Sequence, residues 1–168
     1  MIIYLDTNIV RYVAAFDAYI LGETETIPTE QPRLAREIRA IRRLVELDQL
    51  ADWDIACSPM LMKELFEGNR AKDRRAVYKL LVDAWEQSGN EVPDDIQVRA
   101  NSIESSLSAL GLDGADRRHL AEAIAIGASW LLTNDDRFVG SCRKAKLPLR
   151  VSYVSECLDE ISRGLFLR

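Results

Sequence analysis

Two short apolar runs, each closed by an acid-bearing polar turn, constrain this chain more than any other feature. MIIYL is followed by Asp6, Thr7 and Asn8, and WLLT (130–133) by Asn134, Asp135 and Asp136. Four or five β-prone residues bounded by turn formers are too short for an amphipathic helix and read as buried strands. Strands apolar on both sides belong in a parallel sheet with helices on each face.

The rest of the chain supplies those helices. Residues 9–21 read as a helix after the first strand, and GETETIPTEQP (22–32) as a polar, proline-bearing loop. Residues 34–50 keep Leu34, Ile38, Ile41, Val45 and Leu47 at helical spacing. A brief strand follows around Ile55, then Ser58 and Pro59 open a helix as N-cap and first residue, running to about Glu67. Further helices are expected over 71–88, over 96–110 with Gly111 as C-cap, and over 114–128 with Asp113 as N-cap. A short helix after NDDRF, a strand within LPLRVSYV and a helix over 155–161 complete the order. The expected architecture is α/β: one domain over 1–168, a central parallel sheet flanked by helices on both faces.

Composition narrows the partners. The chain has 168 residues and a net charge of −5, with 22 basic residues against 27 acidic ones, which excludes a simple polycation. A local basic stripe remains compatible with that total, because local potential steers a polyanion. Five arginines against one glutamate lie between Arg33 and Arg43. Cys57, Cys142 and Cys157 form no CxxC or Cys/His grouping, so no disulfide framework is expected and the cytoplasm is the expected location. Asp6 interrupts the first apolar run without a basic segment before it, and no apolar window reaches 18 residues, so neither a signal peptide nor a membrane span is expected.

The acids carry the chemistry. Asp6 closes the first strand, Asp135 closes WLLT, Asp116 sits in the first turn of a helix and Glu64 in the helix after the second strand. Ligands of open α/β sheets bind outside the carboxyl ends of the strands, where these groups could converge. Converging carboxylates repel one another, and a hard divalent cation relieves that, so Mg²⁺ or Mn²⁺ is the expected occupant. Each acid also has a purely structural reading: Asp6 and Asp135 as helix caps, Asp116 as a favourable charge at a helix start, Glu64 as a solvated flank.

Around them stand Thr7, Asn8, Thr133 and Asn134, short polar groups able to orient a carboxylate or satisfy a helix start. His119, one turn beyond Asp116, could move a proton, touch phosphate or be incidental. Arg36, Arg39, Arg43, Arg117, Arg118 and Arg137 are candidates for a phosphate track, which solvated helix faces would mimic.

Taken together, IIYLDTNIV, a glutamate after the second strand and DRRHLAEAIAIGASWLLTNDDRF resemble the PIN-domain nucleases. The resemblance implies a single PIN-like domain and a divalent-metal-dependent endoribonuclease. Asp6, Glu64, Asp116 and Asp135 match the acidic set, with Asp6, Asp116 and Asp135 as metal ligands. Asp136 matches the accessory acid, Asn8 the polar residue of the opening motif, and Thr133 the residue beside the metal pocket. Small stand-alone members resemble the toxin of a VapBC-type, type II toxin–antitoxin pair, which implies an RNA substrate, a homodimer and a neutralising antitoxin. The chain is longer than many compact members, and Glu67 lies one turn from Glu64. Two other readings stay open: an inactive RNA-binding or protein-interaction module, and a HAD-like phosphatase, although Asp6-Thr7-Asn8 is not the DxD pair of that class.

Overall fold

A computed structural model describes residues 1–27, 29–48, 53–56, 58–66 and 95–165. Among these, four strands form one parallel sheet: β1 (Ile2–Leu5), β2 (Asp54–Ala56), β3 (Trp130–Leu132) and β4 (Arg150–Ser152), in the order β2-β1-β3-β4. In register, Ile3 pairs with Ile55 and Trp130, and Leu131 with Val151. The chain therefore turns outward in both directions from the β1–β3 junction, and the carboxyl ends of those two strands lie side by side.

Side chains alternate across the sheet and feed two cores. Ile3, Leu5, Trp130 and Leu132 face one cluster, which takes Ile9, Val10 and Val13 of α1 (Thr7–Ala15), Ile38, Ile41 and Leu44 of α3 (Pro32–Asp48), Leu61 and Leu65 of α4 (Pro59–Phe66), and Val154 and Cys157 of α8 (Val154–Leu165). Tyr4 and Leu131 face the other, with Ile96 and Ala100 of α5 (Ile96–Ser106), Leu120, Ala121, Ala123 and Ala125 of α6 (Gly114–Ile126), and Phe138 and Cys142 of α7 (Asp136–Cys142). This is the expected α/β architecture, a central parallel sheet with helices on both faces.

Several boundaries differ from expectation. The helix expected over 9–21 starts at Thr7 and breaks at Phe16 (φ −125°, ψ 28°), after which α2 (Asp17–Ile20) adds one turn. The helix expected over 96–110 ends at Ser106 and tightens into a 3₁₀ turn, Ser108–Leu110, before Gly111 at φ 67°. The helix expected over 114–128 ends at Ile126, where Gly127 at φ 78° is the C-cap and donates its N–H to the last turn. The final helix runs a turn longer than expected at its C-terminal end. The 71–88 helix, Cys57 and Glu67 lie outside the described residues. Cys142 and Cys157 are free and buried, and burial pushes both thiols up to about 12.

Candidate functional site

The polar turn after β1 meets the polar turn after β3. Asp6 N–H donates to Leu132 O at 2.9 Å, continuing the ladder one residue past the strands. Asp6 is 6% exposed and lies beside Thr133, which is fully buried. Although Asp6 stands at the N-cap of α1, its side chain makes no capping hydrogen bond. Thr133 Oγ1 donates to Asp6 Oδ2 at 2.6 Å, and Asn8 Nδ2 reaches the same oxygen at 2.5 Å and Thr133 Oγ1 at 2.9 Å. Asn8 and Thr133 thus hold the Asp6 carboxylate from two elements at once. Burial raises the Asp6 pKa above its ordinary value, against the pull of His119 and these hydrogen bonds.

Asp116 and Asp135 enter from helix starts. Asp113 caps α6 by accepting the Asp116 N–H at 2.9 Å, which fixes the first turn carrying Asp116. Asp135 caps α7, and both of its hydrogen bonds, from the Arg137 and Phe138 N–H groups, fall on Oδ1. Its capping role is real and leaves Asp135 close enough to act on Asp116. Burial, then the charges of Asp113, Asp135 and Asp6, push the Asp116 carboxyl up to about 6. The carboxylates of the turns after β1 and β3 therefore act on that of α6 at the carboxyl end of the sheet.

Glu64 and His119 form the next layer. His119 is 2% exposed. Its Nδ1 lies 2.6 Å from the Tyr4 hydroxyl, which is also 2.6 Å from Ser58 Oγ. Its Nε2 lies 3.2 Å from Glu64 Oε2, 3.3 Å from Thr7 Oγ1 and 3.7 Å from Asp6 Oδ1. The hydrogen bond from His119 holds Glu64 down to about 2, as an ionised carboxylate. Burial works to lower the His119 pKa, yet Glu64 and Asp6 outweigh it and the net shift is upward. Ser58 meanwhile caps α4, accepting the Leu61 N–H at 3.0 Å.

Glu122 was not singled out from the sequence. It is 1% exposed, accepts Met60 N–H at 3.1 Å and pairs with Arg118 Nε at 2.8 Å. A buried carboxylate thus anchors the N-terminal turn of α4, the helix that carries Glu64, where a negative charge suits the helix dipole. The signal for it was Glu122 four residues after Arg118, a spacing that pairs charges on one helix face.

The remaining candidates divide. Asp136 is exposed and bound by the Arg33 guanidinium, with Tyr153 O–H donating at 2.6 Å, and these contacts hold its carboxyl below the ordinary range. Arg36 pairs with Asp159 and Arg43 with Glu46, both at the surface. Arg118 spends its guanidinium inside the fold, on Glu122, Glu104 and Asn101. Arg39 and Arg137 are exposed, and Arg117 borders a surface cavity with Asn101, Glu104, Ser105 and Ser108.

The donor chemistry suits a hard divalent cation: Asp6, Asp116, Asp135 and Glu64 offer carboxylate oxygen, and the neighbouring acids raise the Asp116 pKa. Among the described residues, no three His, Cys, Asp or Glu side chains stand close enough together to chelate an ion as they lie. A roomier cavity of about 500 Å³ opens at the β4 edge, lined by groups such as Trp130, Arg143, Arg150 and Glu156, and none of the three aspartates borders it.

The fold is similar to that of a chain in the crystal structure of VapBC2 from Rickettsia felis bound to a DNA fragment from their promoter. The TM-score is 0.52 at 18% identity, covering 91% of this chain and 99% of that one. No family model and no curated protein matches the sequence. Among the described residues no helix is long and apolar enough to cross a membrane.

Proposed function

We propose that this chain is a divalent-metal-dependent endoribonuclease acting at Asp6, Asp116 and Asp135, with Glu64 on the rim. The observation that carries the reading is the meeting of the two polar turns, where Asp6 N–H donates to Leu132 O and Thr133 O–H donates to Asp6 Oδ2, and the rise of the Asp116 carboxyl to about 6 beside the neighbouring acids agrees with it. A site that gathers negative charge at the carboxyl end of a parallel sheet is built for a cation and, through it, a phosphate.

When bound, Mg²⁺ or Mn²⁺ would polarise a phosphoryl oxygen and lower the pKa of water. Thr133 and Asn8 keep Asp6 in one orientation, so that Oδ1 is the oxygen presented to the site. Glu64, kept ionised by His119, accepts a hydrogen bond from the attacking water and so positions it. Arg39, Arg117 and Arg137 offer exposed or half-exposed charge to the RNA backbone, while Arg36 and Arg43 would exchange surface carboxylates for phosphate. The likeness to a VapBC2 chain supports a toxin role with an antitoxin partner, and a homodimer is part of the same reading.

Purified protein is to be tested on structured RNAs and single-stranded DNA with Mn²⁺, with EDTA and as Asp116→Asn. Cleavage of RNA that needs the metal and is lost in Asp116→Asn supports the reading. Cleavage that survives the substitution rejects this site, and no cleavage of any substrate favours a binding module.

A further inference from the structure

A cavity of about 220 Å³ lies between α1, the start of α3 and the turn after β3, lined by Tyr12, Gln31, Arg33, Leu34, Glu37 and Asn134. Asn134 sits between Thr133 and Asp135, so the cavity adjoins the carboxylates. Its backbone N–H donates to Asn8 Oδ1 at 3.1 Å, but its side-chain Nδ2 and Oδ1 are both buried without a hydrogen-bond partner. Buried amides are rarely left so, because each unmade bond forfeits solvation. Of the other polar side chains of the lining, Glu37 accepts Ser155 N–H and Ser155 O–H, Arg33 binds Asp136, and Gln31 lies exposed to solvent. Asn134 is the amide of this cavity whose donor and acceptor are both buried and unused.

The volume falls below that of pockets for drug-sized ligands and suits one planar ring system. Tyr12 supplies an aromatic wall, steadied by Phe16 at 6.0 Å between centroids. Arg33, with 59% of its side chain exposed, stands at the rim with its guanidinium paired to Asp136. Single-stranded RNA is recognised by splayed bases stacked on aromatic rings and hydrogen-bonded along their edges. An amide, with donor and acceptor side by side, matches the edge of adenine. We propose that this cavity takes one adenine of the RNA strand lying across the carboxylates, beside Tyr12 and read by Asn134. The base is met by a turn of the Asn134 side chain, which breaks no hydrogen bond that the amide now makes. The inference rests on the nuclease reading for the strand, not for the cavity.

The test is fluorescence anisotropy of the full chain in EDTA, with oligouridine carrying one central adenosine, cytidine or guanosine and with uridine alone. Wild type is expected to bind the adenosine strand about tenfold more tightly than the others. Asn134→Ala or Asn134→Asp should abolish that preference, and Asn134→Ala should not lower the Tm, since the amide supports nothing else. Tyr12→Leu should weaken every strand by about fivefold or more and keep the preference. Equal binding of all strands by wild type overturns the proposal, as does a preference that survives at Asn134. AMP competing as well as the strand would assign the cavity to a free nucleotide and likewise overturn it. Metal-dependent cleavage without base preference sinks this inference alone. Preference without any cleavage sinks the nuclease reading and leaves the pocket.

Discussion

The Tyr4 hydroxyl lies 2.6 Å from Nδ1 of His119, joining a residue of the central strand to the helix that carries Asp116. Neutral His119 gives this contact a direction: Ser58 O–H donates to Tyr4, Tyr4 O–H donates to Nδ1, and Nε2–H donates to Glu64. A protonated ring would donate at both nitrogens and turn the Tyr4 and Ser58 hydroxyls around. In either state His119 holds Glu64 as a carboxylate, which makes it a positioning residue.

Tyr4→Phe should therefore destabilise the fold by about 1–3 kcal/mol, because it leaves buried groups on Ser58 and His119 without their shared partner. Urea unfolding measures this. A loss below about 0.5 kcal/mol would mean that the contact contributes little.

His119→Gln should reduce RNA cleavage by about 10–100-fold in kcat with little change in KM, the range found when a group orienting a ligand is lost. The separate readout is the Glu64 carboxyl, which should rise from about 2 toward its ordinary value when followed by ¹³C NMR. A Glu64 titration left where it was would assign His119 no hold over that residue.

Stability should fall as pH rises from about 4.5 to 6. Asp116 titrates at about 6 folded against 3.8 in the open chain, so the native state binds the extra proton between those values and loses stability as pH climbs through them. His119, raised above 6.5, adds stability below that value that is lost as pH passes its folded pKa. Glu64 acts oppositely: lowered to about 2 from 4.5, its contribution is present above 4.5 and disappears as pH falls toward 2. Asp116→Asn should flatten the fall between about pH 4 and pH 6. It should also gain about 1–2 kcal/mol near neutrality, discounted for its partial exposure. Thermal melts across that range decide it, and an unchanged pH slope in Asp116→Asn would contradict the assignment.

Glu122→Gln should cost about 1.5–3 kcal/mol, since it weakens charge-assisted bonds to Arg118 and to the α4 start in a buried setting. Its effect on cleavage should appear through Glu64, so Glu122→Gln and His119→Gln should be less than additive. Strict additivity would separate the two.

The sheet and its acidic edge were legible because they depend on local pattern. MIIYL and WLLT are apolar on both sides and end in turn formers, which puts Asp6 and Asp135 at the same edge of a parallel sheet, and the pairing of β1 with β3 then makes them neighbours. Asp113 and Ser58 were readable as caps for the same local reason, and both cap. The role of His119 was not readable, since its partners Tyr4 and Glu64 are 115 and 55 residues away. Nor was the break at Phe16, where the chain bends so that Tyr19 and Ile20 join the core. Arg118 looked like a surface cation, and only the packing of α5 on α6 turns it inward onto Glu104 and Glu122.

The central claim is that Asp6, Asp116 and Asp135 act together as one cation site. The Asp116 carboxyl pKa, measured by ¹³C NMR with and without Mg²⁺, tests it most directly. It should lie at about 6 without the ion and fall by more than about one unit when Mg²⁺ binds, with the fall absent in Asp6→Asn. An Asp116 titration that Mg²⁺ leaves in place would contradict the account.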